Sequence, residues 1–256
     1  MDERLSYEGY QLVFEDDFDG DRLNRDYWTV ELHEPGWVNA EWQRYVDSEE
    51  NIYQKDSLLL LKPVKTEDAD GSVRYTSGRV STEHKHDFTY GIFEARLRVP
   101  AGKGYLPAFW LLAADEEKWG CWPRCGEIDI MEIWGDRTDT TYGTIHYGTP
   151  HEQDQGTKTF PDVDFSKEFH VFALKWERDR LRWYVDGECF HEARHWFSSA
   201  DDGSKRPFPA PFDHDHYIIL NLAVGNNWAG YPDETTSFET EYAIDYVRVF
   251  QKGDAE

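Results

Sequence analysis

The residues best able to do chemistry lie in one stretch, Gly126-Glu127-Ile128-Asp129-Ile130-Met131-Glu132-Ile133-Trp134-Gly135. Three carboxylates alternate there with large apolar side chains. On a helix Glu127 and Glu132 would sit about 140° apart, since each residue turns the chain by about 100°. On a strand Glu127 and Asp129 share a face and Glu132 falls on the other. One extra residue near Ile130-Met131, a β-bulge, returns Glu132 to the first face, and bulges are used beside active sites to re-aim a side chain. Ile128 and Ile133 then face the core. Crowded carboxylates push one another's pKa values apart, so that one is ionised while another keeps its proton at neutral pH. Glycoside hydrolysis needs that division, with the two working carboxyls about 5–5.5 Å apart in retaining enzymes. The group titrates as a coupled unit, so the spacing assigns roles and no individual pKa values. A solvated acidic face and a carboxylate calcium site stay open as alternatives. Trp110, Trp119, Trp122 and Trp134 weigh toward sugar, because indoles stack on the apolar faces of sugar rings at low entropy cost.

The elements that must position these groups read as strands. Phe93, Ala95, Leu97 and Val99 alternate with Glu94, Arg96 and Arg98; Leu181, Trp183 and Val185 alternate with Arg182 and Tyr184 before an Asp186-Gly187 turn. Similar runs cover 57–64, 72–82, 107–113, 126–134, 140–147, 169–177, 217–224 and 242–251. Many short strands without long helical periodicity predict an all-β sandwich of two antiparallel sheets. No linker, repeat or low-complexity segment interrupts the chain, so residues 1–256 are expected to form a single domain and to act as a monomer.

The 256 residues carry 27 Lys+Arg and 51 Asp+Glu, a formal charge of −24. With no basic run, this excludes nucleic acid and an anionic membrane surface as partners. No apolar stretch is long enough to span a bilayer, and Met1-Asp2-Glu3-Arg4 shows no signal peptide. Cys121 and Cys125 leave two readings open, a small disulfide loop or two separate thiols; Cys189 reads as a small hydrophobe. His191-Glu192-Ala193-Arg194-His195 fits the zinc-protease pattern, but that chemistry needs both histidines on one face of a long helix. Here the pattern follows a strand, and Pro207, Pro209 and Pro211 come soon after. Asp17, Asp19 and Asp21 lack the spacing of an EF-hand loop. His84, His86, His214 and His216 read as solvated loop residues.

The chain resembles glycoside hydrolase family 16, and most closely its laminarinase-like endo-β-1,3-glucanases. Besides the carboxylate motif the resemblance rests on Val13–Gly20, Ser77-Gly78-Arg79, Tyr90–Arg96, Pro107-Ala108-Phe109-Trp110, Gly143–Tyr147, Trp183–Gly187, Asn221–Gly225 and Asp245–Val249. It implies a β-jelly-roll sandwich whose concave sheet forms an open sugar cleft. It implies a retaining reaction with Glu127 as nucleophile, Glu132 as general acid/base and Asp129 as assisting carboxylate. Met131 matches the bulged form of the motif, which favours β-1,3-glucan while mixed-linkage β-1,3-1,4-glucan stays within reach. A licheninase-type enzyme and a non-catalytic β-glucan-binding module are the alternatives. The module is opposed by the presence of both glutamates, and a sulfated algal galactan by the negative charge.

The resemblance also implies sugar stacking by Trp110 and Trp122, with Trp119 in the same loop, a cleft histidine at His146, polar cleft contacts at Asn39, Glu41 and Arg79, and a rim aromatic at Trp228. Catalysis requires no cofactor. A structural calcium is a further implication, with Asp245 as its side-chain ligand and backbone oxygens near Glu15 and Asn51. Leu106, in place of an aromatic, and Gly225-Asn226, in place of Gly-Gly, depart from the pattern. A polymer substrate is met outside the cytoplasm, so a secreted or periplasmic location follows from function alone.

Overall fold

Period-two alternation yields a sandwich because each strand has one apolar face to bury. A computed structural model describes residues 4–200 and 202–253. One eight-stranded sheet, the cleft sheet, runs in the order Glu152–Thr159, Thr140–Tyr147, Glu127–Glu132, Tyr105–Ala113, His216–Val224, Arg79–Ser81, Thr29–Val30, with Asp87–Phe88 also paired to His216–Val224. The other, the back sheet, runs Glu188–Ala193, Arg180–Val185, His170–Glu177, Gly91–Arg98, Tyr242–Lys252, Leu59–Leu61, Ile52–Gln54, with Tyr10–Asp16 also on Tyr242–Lys252. Every ladder in both sheets is antiparallel. The arrangement is the jelly-roll sandwich.

Between the sheets lies one continuous core. Phe93, Ala95, Leu97, Leu181, Trp183 and Val185 enter it from the back sheet, as their alternation predicts, and Phe109, Leu111, Ile128, Ile145 and Leu220 from the cleft sheet. The predicted run 72–82 is two strands. Val73–Ser77 joins a small sheet with Gln43–Tyr45 and Val64–Glu67, and Arg79–Ser81 joins the cleft sheet. The break falls at Gly78, where a Cβ would come within 2.7 Å of Ile52 Cγ1.

At one side the sheets are keyed together. Gly143 and Gly156 are direct cross-strand partners, and so are Trp183 and His191 on the facing sheet. A Cβ on Gly143 would lie 2.4 Å from the Trp183 ring, and one on Gly156 2.2 Å from the His191 ring. Two glycines thus form sockets for two rings.

His191 and Glu192 lie on the strand Glu188–Ala193. His191 Nε2 is 3.2 Å from Asp154 Oδ1, so the zinc pattern is not helical. His214 and His216 are corrections to the expectation of solvated loops. Both are buried, and their rings stack at 4.9 Å. Burial holds their pKa values down, to about 4 for His214 and about 3 for His216. His86 packs on Phe14 and Tyr27, both at 5.1 Å, while His84 is exposed.

Candidate active site

The bulge lies where the spacing requires it. Asp129 pairs with Thr144 and Glu132 with Tyr142, three steps against two. On the other side Asp129 pairs with Trp110 and Met131 with Phe109. Ile128, Ile130, Met131 and Ile133 all lie in the core. The two consecutive core residues, Ile130 and Met131, mark the inserted position and return Glu132 to the face of Glu127 and Asp129. The turn is held from behind, because Trp183 Nε1 donates across the core to the Asp129 carbonyl at 2.8 Å.

All three carboxyls are held above the ordinary carboxylate range. For Glu127 the cause is burial first and the neighbouring Asp129 charge second, with His146 and a hydrogen bond from Trp122 acting the other way. For Asp129 it is burial. Glu132 is pushed up to about 8, by burial and then by Asp129, with Glu41 adding a smaller push. The cluster therefore keeps protons at neutral pH; His146 favours ionisation of both Glu127 and Glu132, and the Trp122 hydrogen bond adds to this at Glu127. His146 sits directly across the ladder from Glu127. Its Nε2 lies 3.3 Å from Asp129 Oδ2 and 3.8 Å from Glu127 Oε1.

The neighbouring strands supply a second layer. Trp110 donates through Nε1 to Asn221 Oδ1 at 2.7 Å, and Asn221 in turn donates to the Tyr45 hydroxyl at 3.0 Å. The Arg79 guanidinium lies over the Trp110 ring at 4.8 Å and over Trp37 at 5.3 Å. Arg79 is buried and pairs with Glu31 at 2.5 Å. Burial alone would raise the Glu31 pKa, but Arg79, His33 and Ser81 together hold it below the usual range. His33 bonds Glu31 at 3.0 Å and stacks on Trp37 at 3.5 Å. Glu41, nearly buried, accepts from Gln43 at 2.6 Å, and Asn39 reaches it at 3.5 Å. Gln43 Oε1 accepts from the Val224 amide at 2.7 Å, which ties this loop to the end of a cleft-sheet strand.

Of the residues singled out from sequence, the structure brings together Glu127, Asp129, Glu132, Trp110, Trp122, His146, Arg79, Glu41 and Asn39. Trp228 stands exposed on a loop built around Asn226, whose Oδ1 accepts from the amides of Trp228 and Ala229. Trp119 is engaged elsewhere. Its ring stacks on His214 at 4.3 Å, with Lys118 and Arg206 over it, so it anchors the loop instead of offering a sugar platform. Cys121 and Cys125 are both free thiols. Asp245, the expected calcium ligand, is paired through Oδ2 with Arg96 at 2.6 Å. Among the described residues, Glu127, Asp129 and His146 are the compact group able to hold an ion, with their ligating atoms within 4.8 Å of one another.

Sequence reasoning missed Glu31, His33, Trp37, Trp42, Tyr45 and His151. The first five come from loops and very short strands that carry no periodic signal. Trp37 and Trp42 could have been found as bulky aromatics in a polar stretch, since both stay substantially exposed.

Residues 38–248 match the model of glycosyl hydrolases family 16. The chain is 34% identical over 264 residues to glucan endo-1,3-beta-glucosidase A1 of Niallia circulans, covering 95% of this chain and 38% of that protein's length. It is 38% identical to glucan endo-1,3-beta-glucosidase of Cryptopygus antarcticus, covering 95% of this chain and 93% of that protein. It superposes on the catalytic domain of an endo-1,3-beta-glucanase (laminarinase) from Thermotoga petrophila with a TM-score of 0.80, at 36% identity, covering 96% of this chain and 99% of that one. The chain belongs to glycoside hydrolase family 16.

Proposed function

We propose that this chain is a retaining endo-hydrolase of β-1,3-glucan, with mixed-linkage β-1,3-1,4-glucan as a second substrate. The observation that carries the reading is the bulged strand that turns Glu127, Asp129 and Glu132 to one face, in a setting that keeps Glu132 protonated. Glu127 attacks the anomeric carbon while Glu132 gives its proton to the departing oxygen. The glycosyl–Glu127 ester forms and the shortened chain leaves. Glu132, now a carboxylate, takes a proton from water, whose oxygen displaces Glu127 and restores the original configuration. Asp129 keeps the cluster's proton affinity high, while His146 and the Trp122 N–H favour the ionised nucleophile. The carboxyl groups and water balance both steps, and no cofactor is required.

The groove suits a neutral polymer. Trp37, Trp42, Trp122 and Trp228 are exposed aromatics of the kind that stack on sugar rings, and a charge of −24 repels sulfated chains. We infer a single catalytic domain acting as a monomer. We place it outside the cytoplasm because its polymer is met there; among the described residues no helix is long and apolar enough to cross a membrane.

The test is product analysis on laminarin and mixed-linkage β-glucan with the wild-type protein and Glu127→Gln. Short β-1,3-oligosaccharides from laminarin, absent with the variant, support the reading. No products from either polymer, with laminarin still bound, overturn it in favour of a binding module.

A further inference from the structure

A neutral imidazole carries one proton on two nitrogens, so what binds one nitrogen decides what the other can do. His146 Nε2 faces two carboxyl groups, Asp129 at 3.3 Å and Glu127 at 3.8 Å. In the state that reacts Glu127 is a carboxylate, and against it the contact is attractive only with a proton on Nε2, which in the neutral ring leaves Nδ1 a bare acceptor. Nδ1 lies 2.9 Å from Nε2 of His151. His151 must therefore donate, and its own proton sits on Nε2.

We propose that His151 is a positioning residue for the reaction, fixing the tautomer of His146 that points a proton at Asp129 and Glu127. His151 stands at the turn joining Thr140–Tyr147 to Glu152–Thr159, four residues past the strand that carries His146. Trp122 covers both rings, 4.9 Å from His151 and 5.9 Å from His146. The two imidazoles lie within 21° of parallel at 5.2 Å. The ring is thus held in place by the aromatic that also bonds the nucleophile. Burial, and any positive charge on His146, lower the His151 pKa, which favours the neutral ring. Without this donor, Nδ1 can take the proton and turn a lone pair toward the ionised Glu127, a repulsive contact.

The proposal rests on the hydrolase reading for its kinetic consequence but not for the tautomer. Two variants separate chemistry from packing. His151→Phe keeps a flat ring beside Trp122 and removes the donor; His151→Gln keeps an N–H at similar reach. On laminarin, His151→Phe is expected to lower kcat on the order of tenfold with KM within about twofold, the size of loss found when a histidine-orienting partner is removed. His151→Gln should recover most of it. Nitrogen-15 NMR of histidine-labelled protein should show His146 as the Nε2–H form in the wild type and His151→Gln, and a mixed or Nδ1–H form in His151→Phe. An unchanged His146 tautomer in His151→Phe overturns the proposal, whether or not laminarin is cut. Equal kcat losses in both variants, with the tautomer unmoved, would assign His151 to packing of the turn. A wild-type protein inactive on laminarin, with the tautomer shift present, would defeat the substrate reading and leave the positioning role standing.

Discussion

Replacing Glu132 by Gln should remove catalysis and at the same time stabilise the protein. The Glu132 carboxyl ordinarily titrates at 4.5 and is pushed up to about 8 in the folded site. At pH 7 the unfolded chain ionises this group and the folded site keeps it protonated. The gap between 4.5 and 7 costs the native state about 3 kcal/mol as a ceiling, at about 1.36 kcal/mol per pKa unit. Glu132 retains some exposure to cleft water, which reduces this to about 1–2 kcal/mol. The sign follows from the raised pKa. Below about pH 4.5 both states are protonated and the penalty vanishes; it grows as pH rises toward about 8 and is constant above. Glutamine cannot ionise and never meets it. Thermal unfolding should therefore place Glu132→Gln about 3–6 °C above the wild type at pH 8.5 and level with it at pH 4. Laminarin hydrolysis should fall by roughly 10²–10⁴-fold as the general acid is lost. A variant no more stable than wild type at pH 8.5 would refute the claim that the site forces this carboxyl to hold its proton.

Other perturbations probe the supports. Arg79→Ala strands Glu31 in a buried position and should cost about 3–5 kcal/mol in urea unfolding at pH 7; acidification that protonates Glu31 should shrink the deficit, because the lowered Glu31 pKa makes its stabilisation present above the unfolded value and lost below. Trp183→Phe leaves the Asp129 carbonyl without its donor, and should lose about 1–3 kcal/mol together with kcat, while KM for laminarin stays near the wild-type value. Trp122→Ala removes both a stacking face and the hydrogen bond to Glu127, so kcat/KM should drop about tenfold or more in steady-state assays. Gly143→Ala places a methyl group against the Trp183 ring and should lower the melting temperature by several degrees, about 1–3 kcal/mol of strain.

The catalytic strand was legible because one face had to be polar and the other apolar, and only a bulge reconciles Glu127 with Glu132. The core alternation of Phe93, Ala95 and Leu97 was legible for the same reason. Glu152–Thr159 was not, since it is a polar edge strand with no apolar face to betray its period. The split at Gly78 depends on a clash with Ile52 and Leu61, residues remote in sequence. The histidines at 214 and 216 look hydrophilic by type, yet the strand His216–Val224 runs straight into the core and takes them with it. The Glu31–Arg79 pair and the His146–His151 contact join residues whose relation is set only when the sheets assemble.

The bond from Trp183 to the Asp129 carbonyl means the reactive strand takes its shape from the interior, not from the loops around the groove. Those loops carry Trp37, Trp42, Trp122 and Trp228, the exposed aromatics proposed to meet the polymer. Recognition and bond breaking therefore answer largely to different parts of the chain, and Trp122 and His151 are where the two meet. Exchange of the segments around Trp37, Trp42 and Trp228 should redirect which linkage is seated while the proton chemistry stays intact, whereas a single change on the far sheet, well away from the groove, should impair it. An engineer seeking new specificity should randomise those three positions and leave Trp122, His151 and the indole behind the bulge alone.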